Sequence, residues 1–286
     1  MKVSIVVIFD RFRESKIRRL LNSMKGQVNP DTEIIFIHEA VEPLPLPQLP
    51  LPIKYYNVPP KRGIPFNRNQ GIKRAMGDII VFIDDDCWVH ERWLSSLIKP
   101  LEEDLSLLAV TSGTRIPKSN LIGDCISALG FPGGGSIGFS KMWKVSKSGF
   151  TNHLAAGNCA LRKSLFEKVG FFDESMKSGA EDAELSWRIE KSHIPIKYVP
   201  EGYAFHEART TFSSFVKWQL RRGKANYQFK KKVGKVGGLI RLRFWSAKNI
   251  LKANITNWRL PLIIFFLGMS FILQQIGFIQ EKNRVS

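Results

Sequence analysis

Three consecutive carboxylates, Asp84, Asp85 and Asp86, directly follow the apolar run Asp78 to Ile83 (DIIVFI). At the carboxyl end of a buried strand they would face the crevice where open parallel sheets bind ligands. Carboxylates this close repel one another unless a cation or basic groups compensate them. Asp84 and Asp86 are two apart, so an extended chain presents both to one side. Oxygen donors of this kind suit Mg²⁺ or Mn²⁺ bridging a diphosphate. A turn with solvated charges is the ordinary alternative for a bare DxD, and the apolar strand before it favours the metal. A second acidic pair, Glu181-Asp182 in SGAEDAELSWRI, opens a predicted helix behind Gly179. A carboxylate there either caps the helix or serves as a general base toward a hydroxyl.

Two weaker signals surround these. In Gly157-Asn158-Cys159-Ala160 the small residues permit close approach of a ligand and Asn158 can hydrogen-bond sugar hydroxyls; a plain tight turn explains the same residues. In His206-Glu207-Ala208-Arg209 the imidazole could add a nitrogen donor to the aspartate site, although a lone His is more often structural. Gln219, Arg221 and Arg222 are candidates to clamp phosphates, with exposed membrane-facing cations as the equal alternative.

The elements that must position these groups alternate. Val3 to Phe9 and Glu33 to His38 read as strands buried on both faces, with a helix over Arg13 to Met24 between them. That β-α-β opening implies a right-handed crossover and a parallel sheet. Pro43 to Pro60 is a surface insertion of polyproline character, with a short edge strand over Ile53 to Val58. Further helices are predicted over Asn67 to Met76, Glu91 to Lys99 (stopping at Pro100), Lys163 to Val169 and Ala183 to Lys191. Strands are predicted over Ser106 to Ser112 and Ile196 to Val199, and Phe131 to Gly138 reads as a mobile glycine-rich loop. Phe212 to Val233 and Gly237 to Asn257 follow as basic amphipathic helices.

The chain has 286 residues, 44% hydrophobic, with 43 Lys and Arg against 25 Asp and Glu, a formal +18. It can bury a large core, and disorder is excluded as the whole answer. The excess favours polyanionic partners, and it is concentrated late: Arg209 to Lys252 holds no acidic residue. Lys235 belongs to that run. Leu260 to Ile279 is then charge-free and long enough for a bilayer, weakened by Pro261, Gln274 and Gln275. The expected arrangement is a single-pass cell-membrane protein with the catalytic domain on the cytoplasmic side, an in-plane or partner-packed helix being the alternative. Cys87, Cys125 and Cys159 have no paired spacing, which fits neither a zinc knuckle nor a disulfide framework.

The ordered series SIVVIFDR, FNRNQGIKRAMGDIIVFIDDD, GNCALRKSLFEKVGFFDE and GAEDAELSWRI resembles family 2 glycosyltransferases of the GT-A fold over Lys2 to Ala208. The resemblance implies an α/β fold, a mostly parallel, Rossmann-like sheet flanked by helices, in a catalytic domain over 1–208. A basic membrane-surface region over 209–258 and a transmembrane helix with a short tail over 259–286 would follow. It further implies an inverting, Mn²⁺- or Mg²⁺-dependent enzyme with Asp182 as catalytic base. Asp84 and Asp86 would be the metal contacts, Asp86 foremost, with His206 the added candidate. Arg68 and Asn69 match the nucleotide-side pair, and Asp84 and Asp85 lie beside the donor. Gly157, Asn158, Glu181 and Trp187 fall on the sugar and acceptor side. Two departures concern the nucleotide: Phe9-Asp10-Arg11 replaces the usual polar run after the first strand, putting Phe9 and Arg11 beside the donor, and Glu39 stands where an acidic pair is usual.

The expected partners are a nucleotide-diphosphate sugar, a lipid-linked or polysaccharide acceptor and anionic lipid, and no nucleic acid. A nucleotidyltransferase would need a glycine-rich, lysine-containing loop that FDRFRES is not. A basic nucleic-acid- or lipid-binding protein on an inactive GT-A scaffold is the other class, and the presence of both carboxylate motifs argues against it.

Overall fold

The computed structural model describes residues 1–234 and 237–285, so Lys235 lies outside the described residues. The first half runs β1 (Val3–Phe9), α1 (Glu14–Met24), β2 (Thr32–Glu39), β3 (Lys54–Val58), α2 (Ile64–Arg74), β4 (Ile79–Ile83), β5 (Cys87–Val89), α3 (Trp93–Glu103), β6 (Ala109–Thr111), β7 (Thr114–Arg115) and α4 (Leu121–Ser127). Then come α5 (Phe139–Met142), β8 (Phe150–Thr151), β9 (Asn158–Arg162), α6 (Leu165–Val169), α7 (Glu181–Lys191), β10 (Ile196–Tyr198), β11 (Ala204–His206), α8 (Phe212–Val233), α9 (Gly237–Ala253) and α10 (Leu260–Val285).

The main sheet has the order β3-β2-β1-β4-β9-β6-β10-β8. β1, β2, β3 and β4 pair in parallel, as the β-α-β opening requires. β9 runs antiparallel between β4 and β6. Every residue of β1 is buried because both sheet faces are covered. Ile5, Val7 and Phe9 point to the layer of α1 and α3, while Val6 and Ile8 point to the layer of α6 and α7. The GT-A-type α/β expectation is borne out.

Some elements differ from expectation. α2 begins at Ile64 rather than Asn67, with Pro65 in its first turn, where a missing N–H costs nothing. α3 runs through Pro100 to Glu103. The lost hydrogen bond there is outweighed by a face that buries Trp93, Leu94, Leu97, Ile98 and Leu101. The strand expected over 106–112 shortens to Ala109–Thr111, and NCALR, read only as the approach to a helix, is β9. The glycine-rich segment after α4 is packed: Gly133, Gly134 and Gly135 are buried, with Thr114 N–H donating to Gly133 O at 2.9 Å.

The last three helices close over one end of the sheet. α10 lies along α8 from the Phe215–Phe266 ring contact at 4.9 Å, through a glycine crossing, to Gln228 Nε2 on Glu281 at 2.8 Å. At the crossing a Cβ on Gly223 would strike Gln274 O, and one on Gly277 would strike Leu220 O. Gln274 is buried there, donating to Gln219 Oε1 at 2.7 Å. Leu260–Arg284 is long and apolar enough to cross a membrane, with a mean hydropathy of 2.1 in its most apolar window, of which 33% is buried.

Candidate active site

Between the carboxyl ends of β1 and β4 and the three terminal helices lies a cavity of about 1600 Å³. Asp84, Asp85 and Asp86 occupy the β4–β5 link, which is a turn closed by Cys87 N–H to Asp84 O at 3.2 Å rather than an extended chain. All three line the cavity. Gly157 allows this: a Cβ at that position would run into Asp84 Oδ2.

The small sheet β5-β11-β7 delivers the imidazole. Its antiparallel register sets His206 opposite Cys87, one residue past the aspartates. His206 Nε2 lies 3.2 Å from Asp86 Oδ1, and Nδ1 lies 2.7 Å from Glu207 O. A carbonyl only accepts, so Nδ1 carries the proton and, in the neutral ring, Nε2 turns its lone pair to Asp86. Lys16 and Arg19 of α1 pair with Glu207 and hold this corner. Asp86, Cys87 and His206 form the cluster that could hold a cation. Burial keeps the Cys87 thiol pKa well above its ordinary value, which leaves one carboxylate oxygen and one imidazole nitrogen. A carboxylate oxygen beside an imidazole nitrogen is a donor set that fits a divalent cation.

The other carboxylate pair enters from α7. The cap of this helix is Ala180, in the left-handed region at φ +62°, with no side-chain cap. Asp182 therefore does not cap the helix; its Oδ1 accepts only the next residue's N–H, Ala183, at 2.7 Å. Holding a non-glycine residue there costs on the order of 1–2 kcal/mol, and the turn presents Glu181 and Asp182 to the cavity.

Arg68 joins the two acidic groups. Only 5% exposed, it pairs with Glu181 through Nη1 and reaches Asp84 Oδ1 at 3.5 Å through Nη2. Burial raises the Asp84, Glu181 and Asp182 carboxyls above their ordinary values, and Arg68 pulls each back. Burial, with Asp86 beside it, pushes Asp85 up to about 6 against the opposing ion pair with Arg13 at 2.9 Å. The aspartate cluster at rest is short of positive charge, the electrostatic condition a bound cation relieves.

Most of the other predicted residues reach the cavity, several of them already engaged. Phe9 lines it and stacks on His38 at 4.9 Å. Glu39 also lines it, with its carboxylate taken by Arg62 N–H at 2.6 Å and Asn67 Nδ2 at 2.5 Å. Asn158 is fully buried, held by Trp93 Nε1 at 2.7 Å and donating to Gly113 O and Gly202 O. Its amide is spent on the fold, which corrects its sugar-binding role. Asn69 does not line the cavity: it donates to Phe172 O at 2.9 Å and accepts Phe172 N–H at 3.0 Å, pinning the FFDE turn. Arg11 is exposed and outside the cavity. Trp187, Gln219, Arg221 and Arg222 line it from the α7 and α8 side, Arg221 with its Nε on Ser178 O at 3.1 Å.

Sequence reasoning missed the Arg13–Asp85 pair, for which no motif exists, and gave Arg209 and Arg243 no role. Both line the cavity. The absence of acidic residues from Arg209 to Lys252 was the available signal.

Glycosyl transferase family 2 is the family description that matches this chain, over residues 4–170. The protein belongs to that family. It is 25% identical to the pre-mycofactocin glycosyltransferase of Mycobacterium tuberculosis over 219 residues, 74% of this chain and 44% of that protein. It is 28% identical to glycosyltransferase AglE of Haloferax volcanii over 166 residues, 56% of this chain and 49% of that protein. The chain thus matches less than half the length of these relatives. Among solved structures it is similar to the mannosyltransferase PcManGT from Pyrobaculum calidifontis in complex with GDP-Man and Mn²⁺, with a TM-score of 0.60 at 16% identity. That likeness covers 98% of this chain and 83% of the other. S. aureus TarS 1-349 in complex with UDP-GlcNAc matches with a TM-score of 0.55 at 15% identity over 91% of this chain and 74% of that one.

Proposed function

We propose that the protein is an inverting glycosyltransferase that moves a sugar from a nucleotide-diphosphate sugar to a hydroxyl or phosphate acceptor on a lipid-linked glycan or envelope polysaccharide. The observation that carries this reading is one cavity holding Asp84, Asp86 and His206 at one side and Asp182 at another, with Arg68 between. Asp86 and His206, with Asp84 beside them, would hold a divalent cation such as Mn²⁺, which would supply charge neutralisation at the donor diphosphate. Solved neighbours that hold GDP-Man with Mn²⁺ or UDP-GlcNAc support the donor class. Asp182, raised by burial, is suited to accept the proton of an attacking hydroxyl. Attack from the side opposite the leaving diphosphate inverts the anomeric centre. Glu181, spent on Arg68, keeps that cation in place between the two carboxylate groups.

The exposed apolar face of α10 (Ile264, Phe265, Phe271, Ile272, Ile276, Ile279) continues into Phe244, Leu251, Ile255 and Trp258 of α9 and the turn after it. Lys248 and Lys252 border that surface. We infer that this surface sits in the plane of a membrane, on its cytoplasmic side. A spanning α10 would draw α8, with Lys217, Lys224 and Lys230, into hydrocarbon along with it, or give up the glycine crossing. This reading replaces the single-pass arrangement. Alkaline carbonate should strip the protein from membranes; retention in the pellet would restore the spanning helix.

The donor reading is tested by incubating detergent-purified protein with UDP-, GDP- and dTDP-sugars in Mn²⁺ or EDTA. The expected result is Mn²⁺-dependent release of a nucleoside diphosphate from one of them. Neither release nor binding across the panel would reject it.

A further inference from the structure

Among the described residues, Arg209, Arg221, Arg222, Arg241 and Arg243 line the cavity without an acidic partner. Arg209, Arg222 and Arg243 make no ion pair and no side-chain hydrogen bond among the described residues, whereas Arg13 and Arg68 at the sheet end each meet a carboxylate. Aromatic rings hold two of them. Arg222 lies 3.7 Å from the Phe131 ring centre and 5.3 Å from that of Trp218, and Arg209 lies 4.9 Å from the same indole. Two guanidiniums on one indole, with a third lining the same space, is an arrangement that costs energy until an anion enters. Burial and the neighbouring Arg243 push Arg222 down to about 9, and burial lowers Arg209 as well, while Arg243 is exposed where it lines the cavity.

A second observation points into the same space. Gln219 is fully buried and lines the cavity, and its Nε2 has no hydrogen-bond partner. Its carbonyl oxygen is fixed by Gln274, so the amide cannot turn away. A buried donor left unmade costs on the order of 1–3 kcal/mol. An acceptor oxygen in the cavity would satisfy it. The set of planar guanidiniums plus one amide N–H is the chemistry that recognises a phosphate group.

Two phosphate sources are conceivable, the donor's diphosphate and a phosphate on the acceptor, and the charges around each arginine separate them. Arg209 follows closely on His206 and faces the charge of Asp86 at the cation site. Arg222 faces the charge of Asp182 instead. In an in-line displacement the base and the leaving group lie on opposite sides of the reacting carbon, so a cation beside the base is on the acceptor's side. The same cavity is walled by Phe244 of α9 and Phe271 of α10, both exposed and both on the apolar surface. A phosphate at the arginines could therefore carry an apolar chain out along that surface.

We propose that Arg222 and Arg243, with Gln219, form a phosphate subsite for the acceptor, distinct from the donor diphosphate site and open toward the apolar face of α9 and α10. This rests on the glycosyltransferase reading for the word acceptor, while the subsite itself can be tested without any sugar donor. The measurement is titration calorimetry in a neutral detergent with dodecyl phosphate, dodecanol and inorganic phosphate, repeated with Mn²⁺ and UDP or GDP present.

Dodecyl phosphate should bind, dodecanol should not, and Arg222→Gln and Arg243→Gln should each weaken dodecyl phosphate by about ten- to a hundredfold. The Mn²⁺-nucleotide should leave that binding in place. Weak binding of inorganic phosphate beside tight binding of dodecyl phosphate assigns a lipid-borne phosphate, and equal binding assigns a soluble phosphate ester. Displacement by the Mn²⁺-nucleotide would hand the arginines to the donor and overturn the proposal. So would equal binding of dodecanol, or an unchanged affinity in both variants. Binding of dodecyl phosphate by a protein that binds neither UDP nor GDP with Mn²⁺ would break the transferase reading and leave the subsite standing.

Discussion

The sheet end and the terminal helices supply opposite halves of one cavity and treat their charges differently. At the sheet end both arginines are answered by carboxylates, Arg13 by Asp85 and Arg68 by Asp84 and Glu181. On the helical side Arg209, Arg222 and Arg243 face the cavity with no carboxylate within ion-pair distance among the described residues. Paired charges hold a site in shape before a ligand arrives, whereas unpaired ones wait for the ligand's own charge. The comparison assigns preorganised chemistry to the sheet and recognition of an incoming anion to the helices.

The largest effect should come from the sheet half. Asp182→Asn removes the proposed base, and transfer should fall by about 10²- to 10⁴-fold with donor binding retained, read by kcat against donor affinity. Near-normal turnover would remove Asp182 from the chemistry. Next, Arg68→Gln leaves Glu181 buried without its partner and should destabilise the fold by about 3–5 kcal/mol, read from denaturant midpoints. A loss below about 1 kcal/mol would show that the cation contributes little to shape.

The helical half is probed at its crossing. Gly277→Val sets a branched side chain against Leu220 O and should cost about 1–3 kcal/mol. Its melting should show the terminal helices loosening while the sheet keeps its midpoint, and a uniform shift would mean the two halves unfold as one. The smallest effect is a matter of pH. Burial raises Asp182 above the ordinary carboxylate range, and the base works only when deprotonated. The acidic limb of kcat/KM should therefore lie above that range, with activity lost as pH falls through it; a limb near 4, about where an unperturbed carboxyl titrates, would contradict the assignment.

Legibility in the sequence followed the same division. The strands β1, β2 and β4 and the helix α8 were readable because their apolar pattern reflects burial on known faces. Asp84, Asp86, Asp182 and His206, singled out in the sequence, line one cavity because strand ends and a helix start converge at the sheet's carboxyl edge. The turn after β4 and the uncapped start of α7 were not legible, since both depend on Gly157 and Ala180 in their tertiary setting. Asn158 and Asn69 looked like ligand contacts and turned out to bind backbone and neighbouring side chains, because a sequence cannot show which partners a buried amide will meet. The lie of α10 along α8 was hidden for a related reason: hydropathy counts apolar residues but cannot see the Gly223–Gly277 crossing that gives them a protein partner.

The central claim is inversion through a base on α7, and time-resolved proton NMR of donor hydrolysis tests it without knowledge of the acceptor. With water as the acceptor and Mn²⁺ present, the first-formed free sugar should carry the anomeric configuration opposite to the donor's, and Asp182→Asn should abolish its appearance. A first-formed sugar of the donor's own configuration would contradict the account.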